Sequence, residues 1–235
     1  REVKREIVST YDVPEEKIAV IYNGVDAELF HPRNRERARQ RIKSQWGIPP
    51  EAPVVLFVGS GFQRKGLDRL LNAWASPRLA GIYLLVVGED AQRSRYGSWA
   101  EKQAKERIVF AGRQDEVENY YGAADLLALP ALQEAFGNVV LEALASGLPV
   151  VVSRTVGAAE VLTGELKEGI LTCPEDPSEI EIKILGMLDH GRGPFMSEQA
   201  RNLGEKYSWK NHFSELESCL MEVAGQERRG SSGSS

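Results

Sequence analysis

What most limits the fold of this chain is a series of six short apolar runs, at residues 18–22, 54–59, 82–88, 108–111, 126–129 and 150–153. Each is rich in Val, Ile and Leu, and none alternates with polar residues. A strand with one face in water alternates, whereas an unbroken apolar run suits a strand covered on both faces, as in parallel sheets. Helical patterns separate the runs, at 66–75, 99–107, 115–123 and 138–146. Strands alternating with helices of that length predict βαβ units, and hence an α/β fold with a doubly wound, Rossmann-like parallel sheet. From Pro177 onward the pattern is helical and ends in an amphipathic stretch at 208–223, so a helical C-terminal tail is expected behind the sheet. No internal repeat of fixed period interrupts this order.

Size and charge narrow the function classes. With 235 residues the chain can form one large domain or two small ones. Its longest apolar stretches, 82–87 and 148–152, are far shorter than the ~18 residues of a membrane-spanning helix. A net charge of −5 argues against a nucleic-acid binder that works through bulk charge. Cys173 and Cys219 have no partners at metal-ligand spacing, and so few cysteines fit a reducing, cytoplasmic compartment. The chain opens at Arg1 on an amphipathic pattern carried by Val3, Ile7 and Val8 and interrupted at Pro14. We therefore expect residues 1–14 to be a helical linker from a missing N-terminal domain. Residues 15–225 form the folded domain, and 226–235, ending in Gly230-Ser-Ser-Gly-Ser-Ser235, a disordered tail.

In doubly wound sheets a ligand sits outside the carboxyl ends of the strands, so the loops there carry the chemistry. After the run at 54–59 comes Gly59-Ser60-Gly61-Phe62-Gln63-Arg64-Lys65-Gly66. Its glycines let backbone approach a ligand, and Arg64 and Lys65 can neutralise a diphosphate. It is not a Walker loop, since no Ser or Thr follows Lys65, nor a dinucleotide fingerprint, since position 64 is not glycine. An ordinary glycine turn with two solvated cations fits it equally. After the run at 126–129 comes Glu134-Ala-Phe136-Gly137-Asn138-Val139-Val-Leu-Glu142. Gly137-Asn138 opens a helix whose free N–H groups make an anion site, and Glu142 lies about one turn inside. Two carboxylates bracketing that site suit a ligand with phosphates in the middle and hydroxyls at both ends. The plainer alternative is an exposed loop acid and a helix-surface charge.

Glu134-x-Phe136-Gly137 with Glu142 resembles the E-x7-E signature of retaining, GT-B-fold nucleotide-sugar glycosyltransferases, the glycosyl transferases group one family. Asn23-Gly24-Val25-Asp26 with Phe30 and Pro32, Ala124-Asp125-Leu126, and the segment 145–150 are similar to the same family. The likeness spans roughly residues 15–225 and only the C-terminal half of the family's two-domain enzyme. Residues 59–66 and Gly112-Arg113-Gln114-Asp115 look most like lipopolysaccharide-core glucosyltransferases.

The resemblance implies a role for each matched position. Glu134, Arg64 and Lys65 would be catalytic, Glu134 on the donor-sugar hydroxyls and the two cations on the departing diphosphate. Glu142 would take the ribose, and Arg113 would lie beside the nucleobase. Gly137, Asn138 and Val139 would offer backbone N–H groups, with Gly59, Ser60, Gly61 and Phe136 also at the donor. It implies a UDP-sugar donor, glucose first, and neither cofactor nor metal. The acceptor would be a glycan or lipopolysaccharide core, met through the missing domain at the cytoplasmic face of the inner membrane. The isolated half would bind donor without transferring it. A GDP-mannose enzyme and an epimerase or binding module of the same architecture are the alternatives. Asn23-Gly24 reads as a turn, and Trp46, Trp74, Trp99 and Trp209 as packing. The basic run Arg33, Arg35, Arg37, Arg39, Arg41, Lys43 reads as a solvated helix face or as a contact for anionic lipid in peripheral membrane binding.

Overall fold

A computed structural model describes residues 2–103, 106–189 and 191–231. Helices α1 (Glu2–Tyr11) and α2 (Asn34–Gln45) precede strand β1 (Val54–Val58), short helix α3 (Phe62–Lys65), α4 (Leu67–Trp74) and β2 (Tyr83–Val87). Next come α5 (Arg93–Gln103), β3 (Ile108–Gly112), α6 (Val117–Ala123), β4 (Leu126–Leu129), α7 (Asn138–Ala145) and β5 (Val150–Ser153). The chain closes with β6 (Ile170–Leu171), α8 (Pro177–Met187), α9 (Gly193–Lys206) and α10 (Trp209–Ser231). The strands form one sheet in the order β3-β2-β1-β4-β5-β6, every pairing parallel. Chain order reverses between β1 and β4, and that switch point is where such folds open a crevice for ligand.

The apolar runs become strands because helices on both faces keep them from water. Val54–Phe57 and all of β4 and β5 are wholly buried, and so is Trp74, whose indole N–H donates to the Ile82 carbonyl just before β2 at 3.2 Å. Burying a Val or Leu side chain contributes ~1.5–3 kcal/mol, so these central strands anchor the core. No helix among the described residues is long and apolar enough to cross a membrane.

Four expectations are corrected. The run at 18–22 is not a strand; the isolated bridge next to it joins Val25 to Ser208, and Val20 is exposed. The sixth strand is instead β6, two residues beside β5. The helix expected at 99–107 begins six residues earlier, as α5, and residues 104–105 lie outside the described residues. The basic run is a solvated face only in part: Arg33, Arg35, Arg37 and Arg41 are exposed, but Arg35 and Arg39 hold Asp125 Oδ1 at 2.7 and 2.8 Å, while Asp125 Oδ2 accepts the Val54 N–H at 2.9 Å. Lys43 is buried, its Nζ donating to the Pro50 and Ala52 carbonyls at 2.6 and 2.7 Å. Arg33 and Arg41 face Glu28 and Glu116, so much of this charge ties α2 to the body of the domain. The C-terminal helix continues to Ser231 through much of the segment expected to be tail; residues 232–235 lie outside the described residues.

Candidate functional site

The crevice at the switch point has two walls, the loop after β1 and the loop after β4. They touch at Gly66, which adopts φ +83°, and a Cβ built there would lie 2.1 Å from the Pro130 carbonyl oxygen. Only glycine allows both the backbone turn and that approach. The chain does not pass directly from loop to α4 at Gly66, as its pattern suggested. Helix α3 comes first and carries Arg64 and Lys65. Lys65 folds back over Gly59, whose missing side chain leaves the space that the lysine occupies.

Arg64 and Lys65 meet Glu134 across the crevice. Arg64 Nη1 lies 2.5 Å from Glu134 Oε2, and Lys65 Nζ 3.7 Å from the same oxygen. Arg64 is half exposed, whereas Lys65 and Glu134 are largely covered. Glu134 is held by its backbone as well. It bridges to Val156, and its carbonyl accepts the Gly157 N–H at 3.1 Å, while the Phe136 carbonyl accepts the Ala158 N–H at 2.7 Å. Phe136 also packs against Tyr22, ring centres 6.0 Å apart. The segment that presents Glu134 is therefore pinned to residues 156–158.

Helix α7 starts at Asn138 behind Gly137, which takes a left-handed conformation at φ +86°. First-turn N–H groups of a helix lack intrahelical acceptors, so this end attracts anions, with Val139 in the same turn. Asn138 Oδ1 accepts from Asn23 Nδ2 at 2.9 Å. Asn23 is thus more than a turn residue, and no local signal in the sequence reveals the contact. Glu142, one turn in, accepts the Tyr121 hydroxyl on Oε2 at 2.6 Å. Burial pushes the Glu142 carboxyl above the usual range, and the Tyr121 hydrogen bond and the Lys65 charge offset part of that. Lys65, paired with Glu134, thus also acts on the Glu142 carboxyl through its charge. Sequence reasoning missed Tyr121 altogether.

Ser60 and Arg113 are exposed. Arg113 follows β3, two strands from β1, which at about 4.8 Å per strand sets it roughly 10 Å along the same edge. It does not join the Arg64–Lys65–Glu134 cluster. No group of three His, Cys, Asp or Glu side chains among the described residues could hold a metal ion. A cavity of about 410 Å³ lies at the other end of the sheet, beside Pro53, Asp125 and Pro149. Its two arginines already pair with Asp125, and it is remote from both loops.

Residues 52–190 match the family described as Glycosyl transferases group 1. The D-inositol 3-phosphate glycosyltransferase of Corynebacterium urealyticum is 33% identical over 220 residues, covering 88% of this chain and 51% of the relative. Among solved structures, WaaG, a glycosyltransferase involved in lipopolysaccharide biosynthesis, superposes with a TM-score of 0.70 at 28% identity, over 86% of this chain and 55% of that one. HepE of Anabaena in complex with UDP-glucose superposes with a TM-score of 0.76 at 22% identity, a likeness of fold, over 93% of this chain and 61% of that one. The chain spans about half the length of the curated relatives it matches.

Proposed function

Since this chain belongs to the group 1 glycosyl transferases, we propose that it is the donor-binding half of a retaining GT-B glycosyltransferase of the E-x7-E type. The donor is a UDP-sugar, glucose first, and the acceptor a lipopolysaccharide core or another bacterial surface glycan. The observation that carries the reading is the meeting of Arg64, Lys65 and Glu134 across the switch point, with Glu142 and the start of α7 beside them. The likeness to WaaG supports the acceptor, and the likeness to HepE holding UDP-glucose supports the donor.

Each residue has a physical task in this reading. Glu134 accepts hydrogen bonds from the sugar hydroxyls, and Glu142 from the ribose diol. Arg64, Lys65 and the first-turn N–H groups at Gly137, Asn138 and Val139 face the diphosphate. As the sugar–phosphate bond breaks, negative charge grows on the leaving group, and fixed cations and a helix terminus stabilise it with little reorganisation. Gly59, Ser60 and Gly61 let backbone approach the phosphates, Phe136 borders the sugar, and Arg113 borders the base. No metal takes part, so EDTA leaves donor binding unchanged.

Helix α10 exposes Phe213, Leu220 and Met221. This is the face we assign to an acceptor-binding half, which would supply the rest of the catalytic groups; the chain alone binds donor without transferring it. Calorimetric titration with UDP, UDP-glucose and GDP tests the proposal. UDP and UDP-glucose are expected to bind with millimolar affinity or better, more tightly than GDP, and Glu142→Ala to weaken both. No UDP binding, or none lost in Glu142→Ala, refutes it.

A further inference from the structure

Tyr121 lies on α6, in neither of the two loops, yet its hydroxyl is bonded to Glu142. It is among the largest side chains with no solvent exposure, and its ring meets the edge of Phe30 at 5.3 Å and 87°. Its hydroxyl donates to Glu142 Oε2 at 2.6 Å, close to the shortest length common for O–H···O bonds to a carboxylate. A buried phenol hydroxyl needs a partner, but a carboxylate on a neighbouring helix is a demanding one, since its charge must also be kept out of water. The bond ties α6 to α7 and commits one oxygen of Glu142, leaving the other for a ligand.

We propose that Tyr121 is a positioning residue for the donor: its hydroxyl orients the Glu142 carboxylate to receive the vicinal diol of a nucleoside diphosphate's ribose. The inference rests on the assignment of Glu142 to the ribose. A charged acceptor serves a diol better than a neutral one, and burial of Glu142 works against its charge. The groups facing Glu142 are few. From α6 there is Tyr121; from α3 there is Lys65, with Arg64 and Glu134 behind it. The nearest charges on the neighbouring elements are engaged elsewhere: Arg201 of α9 sits on the Ala145 carbonyl at 2.6 Å, and Glu160 of the turn Gly157–Val161 accepts from Tyr22. Strands β4 and β5 bring no charged side chain. Tyr121 and Lys65 are therefore the groups that favour the charged carboxylate, and the Tyr121 bond also fixes one of its oxygens.

The test uses Tyr121→Phe, which keeps the ring against Phe30, alongside Glu142→Gln and the wild type. UDP and 2′,3′-dideoxy-UDP, which lacks the diol, are titrated between pH 5.5 and 8. The Glu142 carboxyl is followed by 13C NMR without ligand. Tyr121→Phe should raise the Glu142 titration midpoint and weaken UDP about three- to tenfold, the loss growing as pH falls. Dideoxy-UDP should bind wild type and variant alike. Equal losses for both nucleotides in Tyr121→Phe would mark a general structural role and overturn the proposal, as would unchanged UDP binding while Glu142→Gln is weakened. Glu142→Gln binding UDP as the wild type does overturns the ribose assignment, and the proposal with it. Placing 3-fluorotyrosine at 121, a stronger donor of almost the same shape, should lower the midpoint; an unmoved midpoint counts against the proposal even if Tyr121→Phe folds poorly.

Discussion

Replacing Gly66 by alanine is the sharpest test of how the two loops are joined, because Gly61 supplies a matched control. Both glycines are left-handed, at φ +83° and +72°. An alanine in that region costs ~1–2 kcal/mol, of which ~0.4–1 is returned by a stiffer unfolded chain, so about 1 kcal/mol is common to both. Their surroundings differ. A Cβ at Gly61 has nothing nearer than Arg64 Nε at 3.8 Å, an ordinary contact. A Cβ at Gly66 would lie 2.1 Å from the Pro130 oxygen and 2.6 Å from its carbonyl carbon, both backbone atoms. The loops must part to admit it, and overpacking of this kind costs about 1–3 kcal/mol. Gly61→Ala should therefore lose about 1 kcal/mol and Gly66→Ala about 2–4. At roughly 2–4 °C per kcal/mol for a domain of this size, Gly61→Ala lowers Tm by a few degrees and Gly66→Ala by on the order of 10 °C. Thermal melts followed by far-UV circular dichroism read both. Equal shifts would refute the close approach at Pro130, and with it the rigid spacing between the cationic loop and Glu134.

Three other perturbations follow from the charged side chains. Glu134→Gln frees Arg64 and Lys65 from the carboxylate that holds them; UDP should bind about two- to fivefold tighter, given the modest worth of a partly exposed pair, while UDP-glucose gains less or loses. Calorimetry with the two ligands decides it, and equal tightening contradicts the sugar contact. Burial alone would raise Asp125, but Arg35 and Arg39 outweigh it and hold the carboxyl below its ordinary value. Its stabilisation is present above the unfolded pKa near 4 and is lost as pH falls through the lower folded value. Asp125→Asn should cost about 3 kcal/mol at pH 7 in urea unfolding, with the gap to wild type closing below pH 4. Lys43 is lowered to about 8, chiefly by burial. Its folded form releases a proton before its unfolded form does, so wild type should gain about 2 kcal/mol over Lys43→Met between pH 8 and 10. A constant difference across that range refutes this.

What the sequence revealed and what it concealed divide along one physical line. Five strands were legible because the runs are buried on both faces, fully in the centre and partly at edge strand β3, and such burial leaves a continuous apolar stretch whatever lies beside it. The run at 18–22 has the same composition but pairs with no strand of the sheet among the described residues, and composition carries no information about partners. Strand β6 is too short to show a period, and α5 buries little beyond Tyr96 and Ala100, so its apolar spacing gives a poor boundary. The site behaves likewise. Arg64, Lys65, Glu134 and Glu142 stand out locally because glycines, charges and a helix start surround them. Asn23 and Tyr121 do not, since each acts through one contact, on Asn138 and Glu142 respectively, that exists only after the chain has crossed the sheet. Arg35 and Arg39 mislead for the same reason: a dense basic run resembles a wetted surface until Asp125 arrives from ninety residues on. The order β1-β4 is thus the decisive step for function. It sets two loops seventy residues apart in sequence on the two sides of one crevice, and only then do an arginine, a lysine and a glutamate of unremarkable chemistry become one site.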